Sequence, residues 1–253
     1  TADAHVEPGT VRKRPPRSMN VVWDPLPQEI GAVVDWSEWY LTDEEDMGEG
    51  GEQNLIIRFF LSILTQLASE QGWKSVHIGA DQFFAWVEEE PLVRVSPDVY
   101  LLDDPPPRPL PQSWQTWRPD HHPPRFALEI VSTDWQKDYE TNPPKYAQLG
   151  VRELVIFDPQ AVAGSTTSDK RVPLQVFRRD SDGLFTRVHK GPGPVWSEEL
   201  EAALVTIIEG ETASLGLCRD KGGFDRIPTL EESKHEAEAK IAELEKRLAE
   251  LEK

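Results

Sequence analysis

The chain has 253 residues, with 45 acidic and 27 basic side chains and a formal net charge of −18. Duplex DNA is bound largely through cationic contacts with phosphate, so this balance argues against tight non-specific DNA binding without a metal or a local basic patch. The single cysteine, Cys218, excludes an internal disulfide and a zinc site made of cysteines alone. It suits a reducing compartment, and we expect a cytoplasmic protein with no membrane span.

The N-terminal half predicts an arm, an acidic loop and one long helix. Residues 1–20 are rich in proline and basic side chains, which indicates a disordered basic arm. The domain proper is predicted over residues 21–218, and it includes an acidic, glycine-rich loop at 43–52. Residues 53–72 predict a mostly buried helix that ends at Gly72, because apolar positions cover most of its surface.

Strands alternate with one short helix in the rest of the domain. Apolar runs predict strands near residues 75–87, 92–102, 125–131 and 152–157, and a proline-rich loop covers 103–124. A short helix is predicted to begin at Asn142-Pro143-Pro144 and to end near Gly150. Three later runs read as antiparallel strands. The order predicts an α/β core with a mixed central sheet and a small antiparallel β extension.

Residues 229–253 are predicted to form a coiled coil. Ile241, Leu244, Leu248 and Leu251 follow the 3-4 spacing of a coiled-coil seam, and the charges beside the seam favour parallel pairing. This pattern predicts a homodimer that the C-terminal helix helps to hold. The alternative is a single solvated helix that caps the domain.

Three acidic residues stand where acids are unexpected. Glu129 interrupts the apolar run "FALEIV", Asp98 follows a proline inside an apolar strand, and Glu52 precedes the buried helix on the stripe of Ile56. Converging carboxylates repel one another unless a divalent cation joins them, and Mg²⁺ is commonly held by one or two carboxylates. These acids therefore predict a Mg²⁺ (or Mn²⁺) site.

A structural role for the same acids is the alternative. Glu129 would then pair with a basic neighbour such as Arg125 or Arg94, and Asp98 would cap a turn.

The segments "SPDVYLL", "FALEIVS" and "YAQLGVRELVIFDP" resemble the Uma family of restriction-endonuclease-like proteins, within the PD-(D/E)xK nuclease superfamily. The resemblance covers roughly residues 50–160. It implies a sheet flanked by helices, with Asp98 and Glu129 as metal ligands and a helix acid at Glu49 or Glu52 as a weaker match. The implied reaction is metal-assisted attack of water on a phosphodiester, with DNA as the substrate.

The lysine of the superfamily is missing from its usual places. Val131 stands two residues after the glutamate, and Asn142 stands four residues before Tyr146, where similar proteins often carry a lysine. Lys145 is the predicted replacement, and Lys137 also lies close in sequence. Without such a replacement, the chain would be a catalytically degenerate nuclease fold that acts as a dimeric binding or assembly module.

Overall fold

The computed structural model describes residues 51–251 apart from positions 108, 133, 167 and 211, together with four two-residue strands nearer the N-terminus. The first of these strands, β1 (Arg12–Lys13), pairs with β4 (Val33–Val34). The remainder of the predicted basic arm at 1–20, the candidate acid Glu49 and the last two residues of the predicted coiled coil lie outside the described residues.

The centre of the fold is a mixed sheet of eight strands. They are β2 (Val21–Val22), β3 (Pro27–Gln28), β5 (Val76–Gly79), β8 (Val99–Asp103), β10 (Phe126–Ile130), β11 (Glu153–Phe157), β12 (Leu174–Arg179) and β13 (Phe185–Gly191). Their order is β3-β2-β13-β12-β11-β10-β8-β5. The pairs β10/β11 and β2/β13 are parallel and the other neighbours are antiparallel. The predicted mixed central sheet is confirmed.

Two smaller sheets use the remaining strands. One contains β6 (Phe83–Ala85), β7 (Arg94–Val95) and β9 (Ser113–Gln115), and the other contains β14 (Val195–Ser197), β15 (Ala202–Glu209) and β16 (Thr212–Cys218). The single strand predicted over 75–87 is therefore wrong: it divides into β5 and β6, and Asp81 between them has a left-handed φ of 52°. The predicted loop at 103–124 contains β9, whose Trp114 is buried.

The predicted antiparallel β extension is smaller than the sequence indicated. Two of its three predicted runs, now β12 and β13, join the large sheet because β12 pairs with β11 along its length. Only the third run, β15, belongs to the separate antiparallel sheet, between β14 and β16.

The helices are α1 (Gly51–Glu70), α2 (Asn142–Leu149), α3 (Pro159–Val162) and α4 (Leu230–Leu251). A π-helical segment at Lys137–Thr141 leads directly into α2. As predicted, α2 has proline in its first turn and ends at Gly150, whose φ of 100° closes the helix. No helix of the described residues is long and apolar enough to cross a membrane.

The two faces of the large sheet have different neighbours. In β10, Phe126, Leu128 and Ile130 belong to one buried cluster with α1 and the β14–β16 sheet. Ala127, between them, belongs to a second cluster with Tyr146 of α2. Because successive strand residues point to opposite faces, Glu129 lies on the α2 side.

The C-terminal helix α4 is confirmed, but its pairing is not. Thr229 and Glu232 form a capping box at its start, in which each side chain accepts from the other residue's backbone N–H. Ile241, Leu244 and Leu248 are exposed in the single chain. The coiled coil and the homodimer remain predictions. Packing of the domain also continues past its predicted end at residue 218, because Ile227 is fully buried.

Candidate active site

Asp98 joins three elements at one edge of the site. It immediately precedes β8, whose pairing with β10 ends at Val99 opposite Leu128. Beyond that pair, Asp98 Oδ2 accepts a hydrogen bond from the backbone N–H of Ile130 at 2.5 Å. Its Oδ1 accepts from Gln53 Nε2 of α1 at 2.8 Å. The carboxylate is thus buried and fixed at the carboxyl end of β10.

Glu129 faces the first turns of α2. Tyr146 donates its hydroxyl hydrogen to Glu129 Oε1, and Asn142 Nδ2 donates to the same oxygen at 3.3 Å. Burial raises the pKa of Glu129 well above its usual range, and the negative charges of Asp98 and Asp138 raise it further. The hydrogen bond from Tyr146 acts in the opposite direction. Asp98 and Glu129, the pair predicted from the sequence, are therefore close enough for their charges to interact.

Asp138 is a third buried acid that the sequence analysis missed. It lies in the π-helical segment, where its Oδ2 accepts from the Ser132 backbone N–H at 3.1 Å and its Oδ1 accepts from Asn142 Nδ2 at 3.3 Å. Desolvation raises the pKa of Asp138 to about 6. Its position four residues before Asn142, on the same helical face, was the available signal.

The helix α1 contributes a different residue from the one predicted. Glu52 is exposed, so its placement on the sheet-facing stripe is wrong. Gln53 reaches Asp98 instead. The buried positions of α1 include Ile57, Phe60, Leu64 and Leu67, and Gln53 lies four residues before the first of these. The role of Glu52 as an accessory acid remains a prediction.

Asn142 occupies the position beside Glu129 that the family resemblance assigns to a lysine. The only cation among the largest influences on the pKa of Glu129 is Lys137, which also lowers the pKa of Asp138. Lys145 is buried, with 5% of its surface exposed, one residue before Tyr146. Its part in the chemistry remains a prediction.

The donor set suits a hard divalent cation. Within the described part of the chain, no three acidic, histidine or cysteine side chains form a group that could hold a metal by themselves. Mg²⁺ requires less, since it is often bound through one or two carboxylates, with water and substrate phosphate completing its shell. Asp98 and Glu129 offer two buried carboxylates whose mutual repulsion a cation would relieve. The residues present therefore fit such an ion.

The known proteins to which this chain is similar include one solved structure and one protein family. A crystal structure at 1.96 Å of a putative nuclease belonging to DUF820 from Anabaena variabilis ATCC 29413 is 13% identical, with a TM-score of 0.42. The match covers 60% of this chain and 75% of that one. No curated protein matches significantly. Residues 44–206, more than half of the chain, match the family described as Uma2, putative restriction endonuclease, and the chain belongs to that family.

Proposed function

We propose that the protein is a Mg²⁺- or Mn²⁺-dependent endonuclease that hydrolyses phosphodiester bonds of DNA, with Asp98 and Glu129 as the metal ligands. Membership of the Uma2 family supports the reaction class. The observation that carries the proposal is a pair of buried carboxylates at the carboxyl end of β10. Asp98 Oδ2 accepts from the backbone N–H of Ile130, the residue after Glu129, and the charge of Asp98 raises the pKa of Glu129. A cation between them would convert this repulsion into binding energy.

The chain's own residues hold the ligands in place. The Ile130 backbone and Gln53 fix the two oxygens of Asp98, and Tyr146 and Asn142 hold one oxygen of Glu129. When bound, the cation supplies Lewis-acid polarisation of the phosphate. Asn142 donates hydrogen bonds but carries no charge, so we assign the positive charge at the phosphate to a lysine. Lys145 is the proposed residue, with Lys137 as the alternative.

One observation favours a second candidate, a catalytically degenerate nuclease fold that binds or assembles. The amide of Asn142 contacts Glu129 where similar proteins carry a lysine, and an amide cannot stabilise the charge that develops on a transferring phosphate as an ammonium does. The net charge of −18 also opposes non-specific DNA binding.

A plasmid-nicking assay separates the two candidates. The wild-type protein should nick supercoiled plasmid in Mg²⁺ or Mn²⁺, and Asp98→Asn should reduce nicking to the level of a protein-free control. The matched control is Asp182→Asn, which removes an exposed carboxylate far along the chain and should nick like the wild type.

Calorimetric titration with Mg²⁺ completes the test. Binding by the wild type that Asp98→Asn abolishes supports the metal site. Metal binding without nicking on any DNA or RNA substrate favours the degenerate fold. Absence of both metal binding and nicking refutes the endonuclease. We also propose that the protein is a homodimer held in part by α4 and that it is cytoplasmic.

A further inference from the structure

A second pocket of about 490 Å³ lies beside the π-helical segment that carries Asp138. Tyr139, the next residue, lines this pocket together with Trp135 and Glu140. The segment therefore presents Asp138 to the candidate active site and Tyr139 to the second pocket. The Tyr139 hydroxyl is fixed by a 2.9 Å hydrogen bond to Asp158 Oδ2, so this wall of the pocket is rigid.

The floor of the pocket is in register with the candidate active site. Glu129 of β10 lies opposite Ile156 of β11, Ile156 lies opposite Gln175 of β12, and Gln175 lies opposite Lys190 of β13. Neighbouring strands are about 4.8 Å apart, so Gln175 and Lys190 lie about 10 and 14 Å from Glu129 along one row. Both Gln175 and Lys190 line the pocket. The two sites therefore share one face of the sheet.

Gln175 is a buried donor without a partner. Its side chain is 1% exposed, and its Nε2 has no hydrogen-bond acceptor among the described residues. The amide cannot simply be reversed, because Arg187 Nη1 donates to Gln175 Oε1 at 2.9 Å and fixes the oxygen end. A buried donor left unpaired destabilises the folded state. An acceptor supplied by a ligand would remove that destabilisation.

The charge of the pocket is positive in an otherwise acidic protein. Lys170, Arg187 and Lys190 line it, against one carboxylate, the exposed Glu140. Neither Lys170 nor Lys190 forms an ion pair with any side chain that the structure describes. Three cations around a polar floor are suited to a phosphate group, because phosphate carries several acceptor oxygens.

The remaining wall is aromatic. Trp135 is half-buried, and its ring stands at 80° to the ring of Tyr139, with centroids 5.4 Å apart. This contact fixes the indole while part of it stays accessible at the pocket. Bases of single strands stack on such rings with little sequence preference.

We infer that this pocket binds one nucleotide of the DNA strand that reaches the candidate active site, with its phosphate at Lys170, Arg187, Lys190 and the Gln175 amide and its base against Trp135. Nucleotides along one strand rise by about 3.4 Å each, so a pocket about 10–14 Å away takes a nucleotide a few positions from the bond that is cut. The inference rests on the proposed function for its substrate class. The pocket also supplies a local basic patch, which a chain with a net charge of −18 needs in order to bind DNA.

The test measures binding rather than cleavage. Fluorescence anisotropy with a fluorescein-labelled single-stranded 20-mer and its duplex, in EDTA, gives Kd as a function of salt. Lys190→Glu should raise Kd at least tenfold and reduce the slope of log Kd against log salt by about 1. The matched control is Lys74→Glu, an equal change of charge at an exposed lysine outside the pocket, which should raise Kd less than twofold.

Gln175→Leu is the second variant, since it removes the unpaired amide without changing charge. It also removes the oxygen that accepts from Arg187 Nη1. It should therefore weaken oligonucleotide binding while the thermal unfolding temperature changes little, because removal of the unpaired Nε2 offsets the loss of that hydrogen bond. Equal effects of Lys190→Glu and Lys74→Glu, or no oligonucleotide binding by the wild type, would overturn the inference. Thymidine monophosphate and inorganic phosphate are the competing probes. If they bind through Lys190 while the oligonucleotide does not, the pocket serves free nucleotides and strand binding is wrong.

These outcomes are distinguishable from failure of the proposed endonuclease. If oligonucleotide binding depends on the pocket but no DNA is nicked, the endonuclease activity is refuted and the nucleotide-binding role of the pocket stands. Nicking with a Kd unaffected by Lys190→Glu and Gln175→Leu refutes the pocket and leaves the enzyme.

Discussion

Asp138 should make the folded protein less stable as the pH rises from about 4 to about 6. Burial raises the pKa of this carboxyl from 3.8 to about 6. The folded state therefore holds the proton more tightly than the unfolded state, and deprotonation opposes folding. The cost is absent below pH about 4 and fully present above pH about 6. A shift of about two pKa units corresponds to about 3 kcal/mol in the free energy of unfolding.

Urea unfolding at pH 5 and pH 7.5 in EDTA tests this reasoning. The wild type should lose stability between the two values, and Asp138→Asn should lose about 1.4 kcal/mol less, because a neutral amide has no proton to release. Asp182→Asn, at an exposed position, should keep the wild-type dependence. An identical pH dependence in the wild type and Asp138→Asn would show that Asp138 is not held protonated by burial.

Three further predictions concern other parts of the molecule. Tyr146→Phe removes the hydroxyl that donates to Glu129, so it should lower the free energy of unfolding at pH 8 by about 1–3 kcal/mol in urea titrations. An unchanged free energy of unfolding would contradict this contact. Arg171→Ala leaves the fully buried Asp158 without the two 2.7 Å hydrogen bonds from Arg171. The free energy of unfolding should fall by about 3–5 kcal/mol in the same measurement, and a fall of less than about 1 kcal/mol would refute a buried ion pair. Leu248→Lys should shift the mass by light scattering from dimer to monomer, and a monomeric wild type would disprove the coiled coil.

The sequence was sufficient where local patterns carry the information. The apolar run around Glu129 predicts β10, and the prolines after Asn142 with Gly150 predict both ends of α2, because backbone restrictions at proline and glycine are local. The pair Asp98 and Glu129 was also visible, since an acid inside an apolar strand is conspicuous. Each of these predictions depends on a few consecutive residues.

The other features of the site depend on contacts between distant parts of the chain, which sequence patterns do not contain. Glu52 and Gln53 are adjacent, and the stripe counted in the sequence is buried at Ile56 and Ile63 but not at Glu52. Helical periodicity alone therefore did not decide which residue at the start of α1 reaches Asp98. Asp138 lies in a largely polar segment, where an acid does not stand out as Glu129 does in its apolar strand. The row from Glu129 to Lys190 follows from strand register, which hydrophobic patterns alone do not set across four strands.

The separation of the two faces of the large sheet makes residue-number parity informative in a mutational scan. In β10, even-numbered positions such as Phe126 and Leu128 pack towards α1, whereas Glu129 points towards α2. Polar substitutions at the even positions should therefore deplete the protein from cells through loss of folding. Conservative replacement of Glu129 should leave abundance intact and remove activity. In β12 the parity is the same, since the odd-numbered Gln175 lines the second pocket and its even-numbered neighbours Leu174 and Val176 join the cluster on the α1 side. Plotting abundance against activity would display the sheet's two sides as two populations of variants.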